Sequence, residues 1–228
     1  MLDRVTPTHD LSKEAACVRD TFLHALATSD ARKVPYPHWL MQGMLPPAAA
    51  TKLANLPVPA PVAMTHDGRR ESNNSKRIYF TQSNQARFPV CADIAAAFED
   101  PVTRATLSAA TGAKLADANL RIEYCQDTGD FWLEPHTDIS VKKFTMLIYL
   151  SHDPALQHCG TDVYETTAEH KFVYSAPYAF NGGLVFIPSS ETWHGFRRRN
   201  IPGVRKSIIV NYVSSDWKDV WELCKATG

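Results

Sequence analysis

The chain has 228 residues, of which 44% are apolar, a length and composition typical of one globular domain with a sizeable core. Its 24 basic and 24 acidic residues cancel, so the net charge of zero gives no electrostatic support for binding to nucleic acid or to an anionic membrane. No apolar run predicts a membrane span, and the N-terminus lacks the apolar stretch of a signal peptide. Five scattered cysteines are typical of reduced thiols, so we expect a cytoplasmic protein without disulfides.

The first half of the chain has mainly helical patterns. Apolar residues near a 3.6-residue period predict a helix over residues 11–29, and Pro46 and Pro47 begin a second that runs to about Leu56. Residues 57–75 predict a loop, which a short alternating strand follows at 77–81. Two consecutive helices are predicted over 90–100 and 101–111, closed by Gly112. We therefore expect residues 1–118 to form a mostly helical supporting region.

The pattern changes at residue 119, where short strands begin. They are predicted over 120–125, 144–150, 161–164, 171–174, 183–187 and 206–213, with turn residues between them. The strand at 146–150 is apolar throughout, so both of its faces should be covered. The predicted fold is α+β, with a mainly β core of jelly-roll type over 119–213 and the N-terminal helices packed on the major sheet. A helix is predicted over 216–226, within the last segment, 214–228. We expect residues 1–228 to form a single domain.

Two histidines and one aspartate form a candidate metal site. His136 and Asp138 are two residues apart, so on an extended segment both side chains leave the same face and can clasp one ion. His194 supplies a third ligand, which a folded scaffold must bring near. Two imidazoles and one carboxylate form the facial triad that suits Fe(II) with open positions. Zinc also accepts this ligand set, so the triad leaves the metal open.

An arginine and a serine follow on a predicted strand. Arg205 and Ser207 are two residues apart and therefore share one face of that strand. Such a pair could hold the far carboxylate of a dicarboxylic co-substrate beside the metal.

These residues belong to an ordered set of segments between residues 120 and 213. In chain order the segments are 121–124, 134–138, 147–151, 160–162, 183–188, 193–194 and the pair Arg205 and Ser207. The set resembles the 2-oxoglutarate/Fe(II)-dependent oxygenases, in particular the prolyl-4-hydroxylase-like branch. A lone His-x-Asp pattern is a weak signal, but the whole series in this order is specific.

The resemblance implies a fold, a chemistry and residue roles. The implied fold is a double-stranded β-helix, and the implied cofactors are Fe(II), 2-oxoglutarate and O2. His136, Asp138 and His194 would bind iron. The Arg205 guanidinium would bind the distal co-substrate carboxylate bidentately, with help from Ser207 and Tyr149. Tyr124 matches a position near the metal-bound end of the co-substrate.

The implied reaction oxidises a substrate C–H bond and releases succinate and CO2. The protein positions that bond while the cofactor carries the hard chemistry. Because related halogenases lack the carboxylate ligand, the presence of Asp138 favours hydroxylation or a related oxidation over halogenation.

Substrate contacts are predicted from position alone. The candidates lie on strands or next to the first metal ligand: Arg77, Tyr79, Arg121, Trp132, Glu134 and Asn211. Residues 197–199 are three consecutive arginines, for which a solvated turn is favoured over a site for an anionic substrate. The compact chain favours a small-molecule substrate, of amino-acid or natural-product type.

Other functions remain open. The chain could hydroxylate a protein side chain, bind metal or ligand without turnover, or be a cupin-like zinc or iron enzyme that does not use 2-oxoglutarate. The intact triad with Arg205 disfavours the second of these alternatives, and the spacing of Arg205 and Ser207 disfavours the third. The sequence indicates no particular oligomeric state.

Overall fold

The computed structural model describes residues 10–61, 67–69 and 77–225. Five helices lie in the first half of the chain: α1 (Lys13–Ala27), α2 (Pro47–Ala54), α3 (Gln82–Arg87), α4 (Pro89–Glu99) and α5 (Pro101–Thr111). Three short strands lie between them: β1 (Asp30–Arg32), β2 (His38–Met41) and β3 (Ile78–Tyr79). The second half contains β4 (Asn119–Gly129), β5 (Leu133–His136), β6 (Lys142–Tyr149), β7 (Asp162–Tyr164), β8 (Phe172–Ser175), β9 (Gly183–Phe186), β10 (His194–Phe196) and β11 (Ile201–Val213).

Local sequence signals begin and end the helices. The Ser12 hydroxyl accepts from the amide of Ala15 at 3.0 Å and caps α1. Prolines occupy the first turns of α2, α4 and α5, where a missing amide hydrogen costs nothing. Asp100 caps α5, which ends at Gly112 in the left-handed region at φ 79°. These helices appear close to where the sequence predicts them.

Two antiparallel sheets form the β core. The larger sheet has the strand order β1-β2-β9-β6-β11-β4-β3, and the smaller one has the order β5-β10-β7-β8. Strands that follow one another in the chain often belong to different sheets. The mixed architecture with a mainly β second half is therefore confirmed.

Both faces of the larger sheet are covered, as the apolar strand at 146–150 predicts. Along β6, Met146 and Ile148 belong to a core shared with the helices, in which the rings of Phe22 and Phe98 lie 4.9 Å apart. Leu147 alternates with these residues and belongs to a second core, which the smaller sheet closes. The helices, the larger sheet and the smaller sheet are therefore three successive layers.

The predicted terminal helix is wrong within the described residues. Between 214 and 225 there is only one 3-10 turn, Val220–Glu222. The segment follows the edge of the larger sheet instead: Leu223 forms a β-bridge with Arg121, and the amide of Cys224 donates to the carbonyl of Leu120 at 2.9 Å. These tertiary hydrogen bonds outweigh a weak local helical preference. Residues 226–228, like most of the predicted loop at 57–75, lie outside the described residues.

No helix in the described part of the chain has the length and hydropathy required to cross a membrane.

Candidate metal centre and the cavity beside it

Strands β5 and β10 bring the three candidate ligands together. His136 ends β5, His194 begins β10, and the two residues are direct partners in the antiparallel register. The imidazole rings lie 4.4 Å apart, and Asp138 follows two residues beyond β5. One ligand atom from each side chain lies within 4.8 Å of the others. The predicted convergence of the triad is therefore present in the fold.

The histidines are oriented by backbone carbonyls. Nδ1 of His136 lies 2.7 Å from the carbonyl of Glu134, and Nδ1 of His194 lies 2.9 Å from the carbonyl of Thr192. Because a carbonyl can only accept, Nδ1 must carry the proton in each ring. Each Nε2 is then left with a lone pair, which is the arrangement of a metal-binding histidine.

Asp138 is held on both of its oxygens. Its Oδ1 accepts from the ammonium group of Lys142, and its Oδ2 accepts from the hydroxyl of Thr145 at 2.6 Å. The Asp138 and Lys142 side chains are each only 3% exposed. A buried carboxylate needs such partners to offset lost hydration.

The His194 imidazole is held in its neutral form. Burial is the main cause that lowers its pKa to about 3, and the neighbouring His136 ring lowers it further. A neutral imidazole is the form that binds a metal. The triad therefore fits a divalent ion in protonation, orientation and donor type.

A narrow cavity of about 50 Å³ leads from the triad into the space between the two sheets. Arg205 and Ser207 line it together with the triad, so the predicted pair does share a wall with the candidate ligands. The Ser207 hydroxyl is buried without a hydrogen-bond partner among the described residues. Thr161 also lines the cavity; it belongs to the segment 160–162 of the resemblance, but a threonine on a predicted strand gives no local signal of the side that it faces.

The Arg205 guanidinium is more occupied than predicted. Its Nη1 donates to Asp127 at 2.6 Å and its Nε donates to the carbonyl of Cys159 at 2.6 Å. Within the described chain only Nη2 is left without a hydrogen bond. The bidentate contact of Arg205 with a carboxylate stays a prediction, for which Nη2 and the second hydrogen of Nη1 remain. Asp127 is the direct register partner of Arg205 on β4 and supplies the counter-charge that a buried arginine requires.

Neither of the two predicted tyrosines lines the cavity. Tyr149 is fully buried behind Thr161, and its hydroxyl donates to Thr161 Oγ1 at 3.0 Å, so it does not line the cavity. Tyr124 belongs to the core shared with the helices, which contradicts its predicted place near the metal. Residues alternate across β4, so Cys125 and Asp127 face the cavity and Tyr124 faces away.

The predicted substrate contacts separate into three groups. Arg77 lines the narrow cavity, where its Nη1 donates to Glu123 at 2.8 Å. Glu134 and Arg121 line a wider cleft of about 420 Å³, which shares His136 and Asp138 with the narrow cavity. The remaining three side chains line neither space: Tyr79 packs on Trp221, Trp132 lies under Arg198, and Asn211 is fully buried.

The arginines of residues 197–199 are not simply solvated. Asp162 accepts from the backbone amide of Arg197 at 2.6 Å and pairs with the guanidinium of Arg199. None of the three arginines lines the narrow cavity or the wider cleft, so an anionic substrate site is not found there.

Comparison with known proteins gives a structural likeness only. No family model and no curated protein matches the sequence. A prolyl 4-hydroxylase structure from Phytophthora capsici aligns with a TM-score of 0.57 and 9% identity, over 93% of this chain and 69% of the other. A Pseudomonas putida prolyl-4-hydroxylase aligns with a TM-score of 0.51 and 18% identity, over 90% and 96%.

A third structure contains a peptide. It is a prolyl hydroxylase from Trichoplax adhaerens in complex with a fragment of the hypoxia inducible factor oxygen degradation domain. It aligns with a TM-score of 0.52 and 16% identity, over 93% of this chain and 96% of the other. Identities this low speak for the fold alone. The chain therefore has the fold of the prolyl hydroxylases, and the resemblance to 2-oxoglutarate/Fe(II)-dependent oxygenases is confirmed at that level.

Proposed function

We propose that this protein is a dioxygenase that uses Fe(II), 2-oxoglutarate and O2 to hydroxylate an unactivated C–H bond, with release of succinate and CO2. The observation that carries the proposal is the triad of His136, Asp138 and His194 at the head of a cavity that also contains Arg205. We further propose that the two sheets form the double-stranded β-helix (jelly roll) of such enzymes.

The three ligands would hold the iron from one side. Both imidazoles present Nε2, and Asp138 presents a carboxylate whose orientation Lys142 and Thr145 restrict. Three protein ligands would leave positions on such an ion for co-substrate and dioxygen. When bound, the iron supplies the redox chemistry that couples decarboxylation of the co-substrate to oxidation of the substrate.

The narrow cavity has the chemistry expected of a site for the co-substrate. Nη2 of Arg205 and the unpaired hydroxyl of Ser207 are donors for a distal carboxylate. Hydrogen bonds to a charged group contribute about 1.5–3 kcal/mol each. Leu147 and Ile209 supply apolar wall for the methylene groups of 2-oxoglutarate.

The wider cleft is the proposed substrate site, because it meets the narrow cavity at His136 and Asp138. Its volume of about 420 Å³ falls in the range of small-molecule sites. We therefore propose a small-molecule substrate of amino-acid or natural-product type, whose access to the metal is bordered by Glu134 and Trp217.

A protein side chain is the alternative substrate. The observation that favours it is the peptide held by the Trichoplax adhaerens enzyme of the same fold. Succinate release measured across free amino acids, other metabolites and proline-containing peptides separates the two. Release only with peptides would contradict a small-molecule substrate while leaving the dioxygenase proposal intact.

The metal and co-substrate assignments are tested without turnover. Anaerobic Fe(II) plus 2-oxoglutarate should give a weak visible charge-transfer band in the wild-type protein. His136→Ala should abolish the band because it removes one of three ligands. The matched control is His24→Ala, an exposed histidine on α1, which should keep it. An unchanged band in His136→Ala would remove the triad from its role.

Arg205→Ala should weaken 2-oxoglutarate binding by at least tenfold, since each lost charge-assisted hydrogen bond is worth more than about 1.4 kcal/mol. Fe(II) affinity should stay within about threefold of wild type, because Arg205 is not a proposed ligand. Unchanged 2-oxoglutarate affinity would exclude the proposed contact between Arg205 and the distal carboxylate.

A further inference from the structure

A series of buried hydrogen bonds runs along one face of the larger sheet, from the candidate ligand Asp138 toward the C-terminal segment. The hydroxyl of Thr145 donates to Asp138 Oδ2 at 2.6 Å and accepts from Asn211 Nδ2 at 2.9 Å. The amide oxygen of Asn211 accepts from Arg121 Nη1 at 3.2 Å. Thr145, Asn211 and Arg121 are register partners on the neighbouring strands β6, β11 and β4, and each is at most 3% exposed.

All hydrogen bonds in this series donate in the same direction, from Arg121 toward Asp138. A guanidinium can only donate, so Asn211 must turn its oxygen toward Arg121 and its NH2 group toward Thr145. That NH2 group also can only donate, so the single hydroxyl proton of Thr145 is directed at Asp138. The carboxylate therefore receives a hydrogen bond whose orientation is set two residues away.

Ion pairs fix Arg121, the residue at the far end of this series of hydrogen bonds. Arg121 pairs with Glu222, and it also donates to Glu123 Oε1 at 3.0 Å. Its guanidinium lies 4.9 Å from the ring centroid of Trp217. Glu222 and Trp217 belong to the C-terminal segment and line the wider cleft. This segment therefore holds Arg121 in place at the wall of the proposed substrate site.

We propose that Thr145 and Asn211 are positioning residues for Asp138, and that the pair of Arg121 and Glu222 fixes them to the C-terminal segment. The proposal rests on the proposed metal site. It gives Arg121 and Asn211 a role other than the predicted substrate contact, because their polar atoms are spent inside the sheet. The other oxygen of Asp138 accepts from Lys142, so loss of the Thr145 bond removes one of the hydrogen bonds that restrict rotation of the carboxylate.

The test compares near-isosteric variants. Thr145→Val removes the hydroxyl and keeps the shape, whereas Thr145→Ser keeps the hydroxyl. Asn211→Asp replaces the NH2 donor by an oxygen, so the Thr145 hydroxyl can turn away from Asp138. The readouts are the dissociation constant of Fe(II), from anaerobic titration against a chelator, and the position of the visible band with 2-oxoglutarate.

We expect Thr145→Val and Asn211→Asp to weaken Fe(II) binding about 10–100-fold, the usual cost of losing a partner of a metal ligand. Both should also shift the band. In Thr145→Ser, the Fe(II) dissociation constant should stay within about threefold of wild type and the band should not shift. A purely structural role of the Thr145 side chain would not require this result.

Two results would overturn the inference: Fe(II) affinity and band like wild type in both Thr145→Val and Asn211→Asp, or losses in Thr145→Ser as large as those in Thr145→Val. Circular dichroism checks each fold, and if Thr145→Val does not fold, Asn211→Asp decides. Failure of the proposed function looks different, because the wild-type protein itself would then show neither Fe(II) binding nor the band.

Discussion

The guanidinium of Arg205 lies at the end of the narrow cavity with the Asp127 carboxylate as its partner at 2.6 Å. Burial explains the pairing, because an uncompensated charge in this position would be very costly. The Asp127 carboxylate should also weaken binding of the proposed co-substrate, because it lines the cavity and is negatively charged, as 2-oxoglutarate is. Arg205 is thus held in place by a group that competes with the anion it is proposed to bind.

Replacing Asp127 by a neutral residue should therefore strengthen the binding of 2-oxoglutarate. In Asp127→Asn the amide oxygen can still accept from Nη1, while the repelling charge is gone. Two like charges several ångströms apart cost about 1–3 kcal/mol at an effective dielectric constant near 20. We expect 2-oxoglutarate to bind about tenfold more tightly, measured by anaerobic titration of the visible band. Asp216→Asn, at an exposed carboxylate, is the control. Weaker binding in Asp127→Asn would show that the carboxylate assists the co-substrate.

At the scale of elements, β6 and β9 approach each other at a glycine. Gly183 pairs with Ile148, and a Cβ at position 183 would lie 2.0 Å from the carbonyl oxygen of Leu147 and 2.7 Å from Sδ of Met44. The strands can keep their register at this point only because no side chain is present. This register places Leu147 and Leu184 in the core between the two sheets.

Gly183→Ala should destabilise the fold by about 2–3 kcal/mol, the cost of overpacking against backbone. Gly112→Ala is the matched control. That residue has φ 79° but nothing within 4 Å of a Cβ, so only backbone strain of about 1 kcal/mol is expected. Urea unfolding of the two variants gives both values. A loss at Gly183 no larger than that at Gly112 would mean that the strands separate easily.

At the scale of the molecule, the helices pack on one face of the larger sheet and the candidate metal ligands lie at the other. The helices cover the larger sheet with Phe22 and Phe98, and the hydroxyl of Tyr212, on β11, donates to the carbonyl of Phe98 at 2.6 Å. The candidate ligands lie on the other side of that sheet, at the smaller one. Packing of the helices should therefore set the stability of the fold without directly setting metal affinity.

Phe98→Ala should cost about 3–5 kcal/mol, the usual price of a buried phenylalanine. Phe98→Leu should cost less, about 1.5 kcal/mol or below. In the folded protein, Fe(II) affinity should remain within about threefold of wild type in both variants. Urea unfolding and anaerobic Fe(II) titration measure the two quantities. A large loss of Fe(II) affinity in folded Phe98→Leu would show that the helical layer shapes the metal site.

The predictions that succeeded depend on neighbours in the chain. Helices α1, α2, α4 and α5 follow from their caps, prolines and 3.6-residue periods, whereas the short helix α3 was not predicted. The ligand atoms of His136 and Asp138 lie close together, as expected for side chains two residues apart on an extended segment. Short strands were harder: β5 and β10 carry ligands, yet neither has an alternating pattern long enough to predict. The terminal helix failed because tertiary bonds to β4 replaced it.

The sequence by itself indicated which side chains could bind a metal, since two histidines and an aspartate at this spacing are donors that suit a divalent ion. Only the tertiary structure decided which side chains meet. Both faces of β4 are buried, so no hydrophobic pattern could tell that Cys125 and Asp127 face the cavity and that Tyr124 does not. Likewise, register across β4 and β11 placed Asp127 against Arg205. Such pairings join residues far apart in the chain, so local pattern carries no record of them.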